Sequence, residues 1–179
     1  MSVKLFEPIK LRDVEVKNRI FVSPMCQYSA VDGVATDWHM VHLGTRAVGG
    51  AGLVMAEASG IVAAGRISPG CTGIWGDQHV DAWRPIVEFI KGQGSIASIQ
   101  LAHAGRKASH LSPWEGSTLI PEDEPTGWKS YGPSDLPFDE DYAIPQALKV
   151  DEIHDLTDAF GAAAERSLAA GFEVIELHF

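Results

Sequence analysis

Four short apolar runs separated by three helical patterns constrain this chain more than any other feature. "RIFVSPM", "AGLVMAEASGIV", "SIASIQLAH" and "EVIELHF" read as strands, apolar on both faces as strands buried on two sides must be. Between them, "TDWHMVHLGTRAVGG", "DQHVDAWRPIVEFIKGQG" and "VDEIHDLTDAFGAAAERSLAAG" read as helices. Strands and helices that alternate in this way build a parallel sheet with helical crossovers, an α/β fold. No repeat beyond this βα rhythm is visible.

Local signals set the helix ends and faces. Thr36 or Asp37 can cap the first helix, Gly49-Gly50 stops it, and Trp38, Val41, Ala47 and Val48 form its expected buried stripe. Val80, Trp83, Val87 and Ile90 form the stripe of the second, in which Pro85 either kinks the helix or opens its longest turn. Ile153, Leu156, Phe160 and Ala163 are in register on the third, which ends at Gly171. Ahead of the first strand, "LFEPIKLRDVEVKNR" alternates weakly around Pro8 and reads as a short hairpin.

One segment breaks the rhythm. Residues 105–146 hold six of the ten prolines, together with Trp114, Trp128, Tyr131, Phe138 and Tyr142. A connection that long serves as a lid or binding loop, or else as a Pro-rich cover packed over the sheet, and both readings stand. The 179 residues are read as one domain, 1–179, with this lid-like loop inside it.

Composition narrows the partners. A net charge of -10 disfavours non-specific binding to nucleic acid and to anionic membrane. Cys26 and Cys71 lie far apart in sequence without CxxC spacing, which suits a reduced, cytoplasmic protein. "MSVKLFEPIKLRD" lacks an apolar signal core, and no run is long enough to span a bilayer.

Parallel α/β proteins place their chemistry beyond the C-terminal ends of the strands. Here those ends carry Ser23-Pro24-Met25-Cys26-Gln27-Tyr28, then Glu57-Ala58-Ser59, then Gln100 and His103, and finally His178. A thiol, a phenol, a carboxamide and an imidazole thus converge on one mouth. Singly, each has a plainer use. Cys26 serves as a small buried hydrophobe, Tyr28 as a core aromatic, and His103 and His178 as satisfied core histidines. Gln100, within an apolar strand, must find partners or cost about 1–3 kcal/mol. His39 and His42, at i and i+3, lack a supporting carboxylate spacing and read as surface or packing residues rather than metal ligands. No P-loop, G-x-G-x-x-G, G-x-S-x-G or H-E-x-x-H signature occurs.

"NRIFVSPMCQY", "GGAGLVMAEA", "IQLAHAGRKA" and "GFEVIELH", in that order and at suitable intervals, resemble the N-terminal half of the old yellow enzyme family. The likeness is greatest to its Cys-containing, thermophilic-like branch, which includes the xenobiotic reductases. The resemblance implies half of a TIM barrel with FMN across its C-terminal face. It implies that Ser23, Pro24, Met25 and Cys26 run along the flavin edge, that Ala58 offers its backbone, and that Gln100 pairs with the pyrimidine ring. Tyr28 would line the substrate pocket, and His178 would grip a substrate carbonyl oxygen. The implied activity is ene-reduction of α,β-unsaturated carbonyl or nitro compounds, with NADPH as hydride donor and ping-pong turnover.

The family's second carbonyl-gripping residue, its tyrosine proton donor and its phosphate-binding arginine would all fall beyond Phe179. A whole (β/α)₈ barrel needs roughly 250 residues, and "EVIELHF" stops inside an apolar strand. The sequence therefore reads as a half-barrel or as an open sheet. On its own such a chain is expected to bind FMN weakly or not at all and to show no useful turnover. Its open edge is expected to associate with a second copy or a complementing C-terminal half-barrel. The alternative is a non-catalytic, self-associating (β/α)₄ unit.

Overall fold

The computed structural model describes residues 3–178. After a 3₁₀ turn at Lys4–Phe6, β1 (Ile9–Leu11) and β2 (Val14–Val16) form an antiparallel hairpin. The main sheet is parallel, with β3 (Phe21–Val22), β4 (Leu53–Gly60), β5 (Ile96–Ala102) and β8 (Val174–His178) side by side in that order. Helices α1 (Asp37–Val48), α2 (Asp77–Gly92) and α3 (Val150–Ala170) are the crossovers. The alternation expected from sequence is therefore present element by element.

The helices cover one face of the sheet. Val54 and Ala56 of β4 and Ala97, Ile99 and Leu101 of β5 meet Leu43, Ala47, Val80, Trp83, Val87, Ile90 and Ala163 in one continuous core. Trp83 is fully buried at its centre, edge-on to His39 and to Phe172, and its indole N–H reaches the Gly73 carbonyl at 3.3 Å. The other sheet face carries Leu53, Ser98 and Gln100. The strict alternation breaks once, at a bulge in β4 between Ala56 and Ala58, which leaves Glu57 as the extra residue.

Three expectations are corrected. The stripe of α1 is not Trp38, Val41 and Val48, all more than half exposed, but His39, Leu43, Gly44 and Ala47. Helical period was right and phase was wrong, because a histidine and a glycine take core positions there. The first strand is only two residues long, with Phe21 43% exposed, because β3 lies at the sheet margin rather than between two layers. Glu57, Ala58 and Ser59 lie inside β4, which runs on to Gly60, rather than at its end. Pro85 sits within an uninterrupted α2. The stripe of α3 is graded, from half-exposed Ile153 to fully buried Ala163, and Gly171 ends the helix in the left-handed conformation that favours glycine.

Residues 105–146 are not structureless. They contain 3₁₀ turns at Gly105–Lys107 and Pro113–Glu115 and the short β6 (Tyr131–Gly132), which pairs in parallel with β7 (Gln146–Ala147). Ser109 Oγ donates to Ile120 O at 2.8 Å and accepts from Trp128 N–H at 3.0 Å, while the Trp128 indole donates to Ala64 O at 3.0 Å. Arg66 lies 5.0 Å from the Trp128 ring centre and 5.4 Å from that of Trp75, so the segment is fastened to the loop after β4.

Candidate active site

A cavity of about 800 Å³ opens beyond the C-terminal strand ends, well within the range of small-molecule and cofactor sites. Strands and strand ends supply Pro24, Cys26, Ala58, Gln100, His103 and His178, and residues 105–146 supply Arg106, Lys107, His110, Leu111, Phe138 and Tyr142. A cleft of about 350 Å³ between α2 and α3, around Asp77, Arg84 and Arg166, lies on the outer helical face away from this convergence.

The turn after β3 is held by Glu57, the bulge residue. Gln27 N–H donates to Glu57 Oε2 at 3.0 Å, and His39 Nε2 lies 3.2 Å from Glu57 Oε1 with both side chains buried. Thr36 N–H donates to His39 Nδ1 at 2.9 Å, so the His39 proton sits on Nε2, the nitrogen beside the carboxylate. His39 is thus a buried structural residue, which settles the surface-or-packing choice in favour of packing. Half-buried His42 stacks on Trp38. Gln27 completes the turn through its amide, giving a hydrogen bond to Met25 O at 2.8 Å and taking one from the Trp38 indole at 3.0 Å.

Cys26 and Tyr28 follow from this turn. Tyr28 has φ +50, a left-handed conformation that costs a non-glycine residue about 1–2 kcal/mol. Its ring stands edge-on to Trp114 at 5.4 Å, and burial pushes its phenol up to about 12. The Cys26 thiol is pushed up by its interaction with Cys71, then by burial and by the Glu57 carboxylate. Distant in sequence, the two cysteines are neighbours in space.

On the inner strands Ala58 and Gln100 are register partners. Gln100 donates through Nε2 to Glu176 Oε1 on β8 at 2.6 Å, which fixes its amide and leaves its carbonyl oxygen and second N–H for the cavity. His103 Nδ1 accepts from Gly105 N–H at 3.0 Å, so its proton sits on Nε2, and burial holds the ring below its ordinary 6.5, neutral at pH 7. His178 ends β8 in the exposed part of the wall.

Of the residues singled out from sequence, Pro24, Cys26, Ala58, Gln100, His103 and His178 reach the cavity. Ser23 and Met25 stand beside it in the same turn, Met25 48% exposed, and Tyr28 faces Trp114. Arg66, Arg106 and Lys107 escaped notice. Among the described residues these three cations share the wall with no Asp or Glu, in a chain of net charge -10. Their signal was local: "GRI" and "GRK" lie within a few residues of the ends of β4 and β5.

The NADH:flavin oxidoreductase / NADH oxidase family matches residues 4–179. An NADPH dehydrogenase of Bacillus cytotoxicus is 45% identical over 181 residues, covering 99% of this chain and 47% of that protein. The fold is that of a morphinone reductase solved in complex with tetrahydroNAD, with TM-score 0.81, 28% identity, and coverage of 99% of this chain and 49% of that one. The old yellow enzyme homologue of Zymomonas mobilis gives TM-score 0.77 at 33% identity, covering 98% and 48%. The chain spans about half the length of the curated relatives it matches.

Proposed function

The chain belongs to the NADH:flavin oxidoreductase / NADH oxidase family, and from that premise we propose that it supplies the flavin-ring side of an FMN- and NADPH-dependent ene-reductase. The convergence of Cys26, Ala58, Gln100 and His178 on one cavity carries this reading. The residues fit a flavin. Ala58, Ala102 and Gly65 make a low wall, and Gln100 keeps an acceptor and a donor beside it. Ser23, Pro24, Met25 and Cys26 would hold one ring edge, with the Ala58 backbone and the Gln100 amide holding the pyrimidine side.

Bound flavin supplies reversible hydride chemistry. The protein's part is to position and polarise. His178 would donate a hydrogen bond to the carbonyl or nitro oxygen of an activated alkene, on which negative charge develops, and Tyr28 would line the same pocket. The cationic side chains Arg66, Arg106 and Lys107 suit the phosphates of NADPH. Donor and alkene would occupy the cavity in turn, giving ping-pong kinetics, with residues 105–146 as a lid-like loop of a single 1–179 half-barrel unit. The two free thiols fit a reducing cytoplasm.

Titration of the chain with FMN, followed by flavin fluorescence and the visible spectrum, tests this. Saturable quenching with a structured, shifted spectrum is expected, weakened in Gln100→Ala. Unchanged spectra at saturating FMN, with and without an added C-terminal half-barrel, would refute it.

A second reading rests on the sheet margins. Among the described residues β3 and β8 each pair on one side only, with Phe21 43% and Leu177 50% exposed. These edges fit a second copy or a complementing half-barrel. Sedimentation of the chain over a concentration series would give a monomer throughout if that reading is wrong.

A further inference from the structure

Cys26 lies in the turn after β3, and Cys71 in the loop between β4 and α2. The two backbones are stitched together beside them. Ala30 N–H donates to Gly70 O at 2.9 Å, and Gly70 leaves no space for a side chain, since a Cβ there would sit 2.5 Å from Tyr28 O. This crossing sets Cys71, 1% exposed, behind Cys26, near enough for each thiol to perturb the other. Cys26 is only part-buried and forms part of the cavity wall. Ser68 N–H donates to Cys71 Sγ at 3.4 Å.

We propose that Cys26 and Cys71 form a redox-active dithiol that a small peroxide, entering by the cavity, closes to an intramolecular disulfide. The proposal goes beyond the flavin reading and does not depend on it. Cys71 is drawn below the ordinary thiol range chiefly by the hydrogen bond from Cys26, assisted by the Ser68 and Ile67 backbone groups against burial and Glu57. The accessible Cys26 sulfur is the one a peroxide can reach, and the shielded Cys71 sulfur is the one held back to resolve it.

The chemistry balances with hydrogen peroxide as oxidant. Cys26 gives up its proton to solvent as its sulfur attacks one peroxide oxygen. The O–O bond breaks, leaving Cys26 as a sulfenic acid, and the departing oxygen becomes water after protonation from solvent. The Cys71 sulfur then gives up its proton and attacks the sulfenyl sulfur. An S–S bond forms, the S–O bond breaks, and a second water leaves. The two thiols lose two electrons and the peroxide gains them. Closure withdraws the Cys26 thiol from the cavity wall and ties the turn after β3 to the 68–71 loop.

The test treats the chain with a small excess of hydrogen peroxide at pH 7, quenches with N-ethylmaleimide, and reads intact mass and a peptide map. Both thiols should vanish from alkylation together, with no oxygen gained, and the Cys26 and Cys71 peptides should appear joined until dithiothreitol separates them. In Cys71→Ser, Cys26 should instead accumulate as a dimedone-reactive sulfenic acid. The proposal falls if the unmutated chain gains oxygen on Cys26 while Cys71 stays alkylatable, if both thiols survive, or if the disulfide joins two chains on a non-reducing gel. These readouts come from the unmutated protein, so misfolding of the variant cannot obscure them. Failure to bind FMN would leave them unchanged.

Discussion

The inner and outer strands of the sheet carry the site in different ways. β4 and β5 are buried almost end to end, and their Ala58 and Gln100 are placed by the ladder itself. The outer strands are short or half-exposed, and Cys26 and His178 sit at or just beyond their ends. What fixes the outer residues is side-chain bonding back to the inside, from Glu57 to Gln27 and from Glu176 to Gln100. The difference teaches a division of labour. The rigid pair offers a flat wall, and the proposed reactive groups hang on margins whose geometry depends on two carboxylates.

The hardest blow to the inner region is Trp83→Ala. A fully buried indole with aromatic contacts on two sides should cost about 3–5 kcal/mol in urea unfolding. A loss under about 1 kcal/mol would mean that the inner region is not the stable one. Next comes Glu57→Ala, which strands the buried His39 Nε2–H and the Gln27 N–H together. About 3 kcal/mol is expected. Since both residues belong to one network, the double variant with His39→Ala should lose clearly less than the sum of the singles.

Glu176→Ala removes the anchor of Gln100 from a half-exposed strand. About 1–2 kcal/mol of stability should go, with a fall in FMN affinity if the amide needs that anchor. A smaller effect is expected from pH. His103 is held below 6.5 in the folded chain by burial, so the unfolded chain binds more protons between that lowered value and the ordinary one. Its contribution is therefore complete above about pH 6.5, drains as pH falls through the folded value, and then levels off. Thermal midpoints from pH 7 down to pH 5 should decline less in His103→Gln. Smallest in stability is His178→Ala, within about 0.5 kcal/mol because the side chain is exposed. In the proposed flavoenzyme, enone-dependent NADPH oxidation should nevertheless drop sharply, and equal turnover in variant and parent would remove His178 from the proposed site.

The sheet and its crossovers were legible because period is written in local composition. Val80, Trp83, Val87 and Ile90 point inward as read, and Thr36, Gly49 and Gly171 end their helices as read. The phase of α1 was not legible. A buried His39 counts as polar until Glu57, from another element, is brought opposite it. The same holds for Cys71, whose meeting with Cys26 depends on Gly70 lying against the Tyr28 backbone. The cationic wall was hidden for a different reason. Arg66, Arg106 and Lys107 are surface-type residues in sequence, and only the folding of residues 105–146 over the strand ends turns them toward one cavity.

The bulge at Glu57 gives β4 two reading frames. Ahead of it Val54 and Ala56 address the helices. Beyond it Ser59 shares a rung with core Leu101, while Ala58 and Gly60 share rungs with Gln100 and Ala102. A saturation scan along 53–60 should therefore show its two-residue rhythm of tolerance slip by one place at Glu57, like a dislocation in a crystal row. Deleting that single codon would restore a faultless ladder with Ala58, Ser59 and Gly60 still on their present faces, and would remove the carboxylate that holds Gln27 and His39.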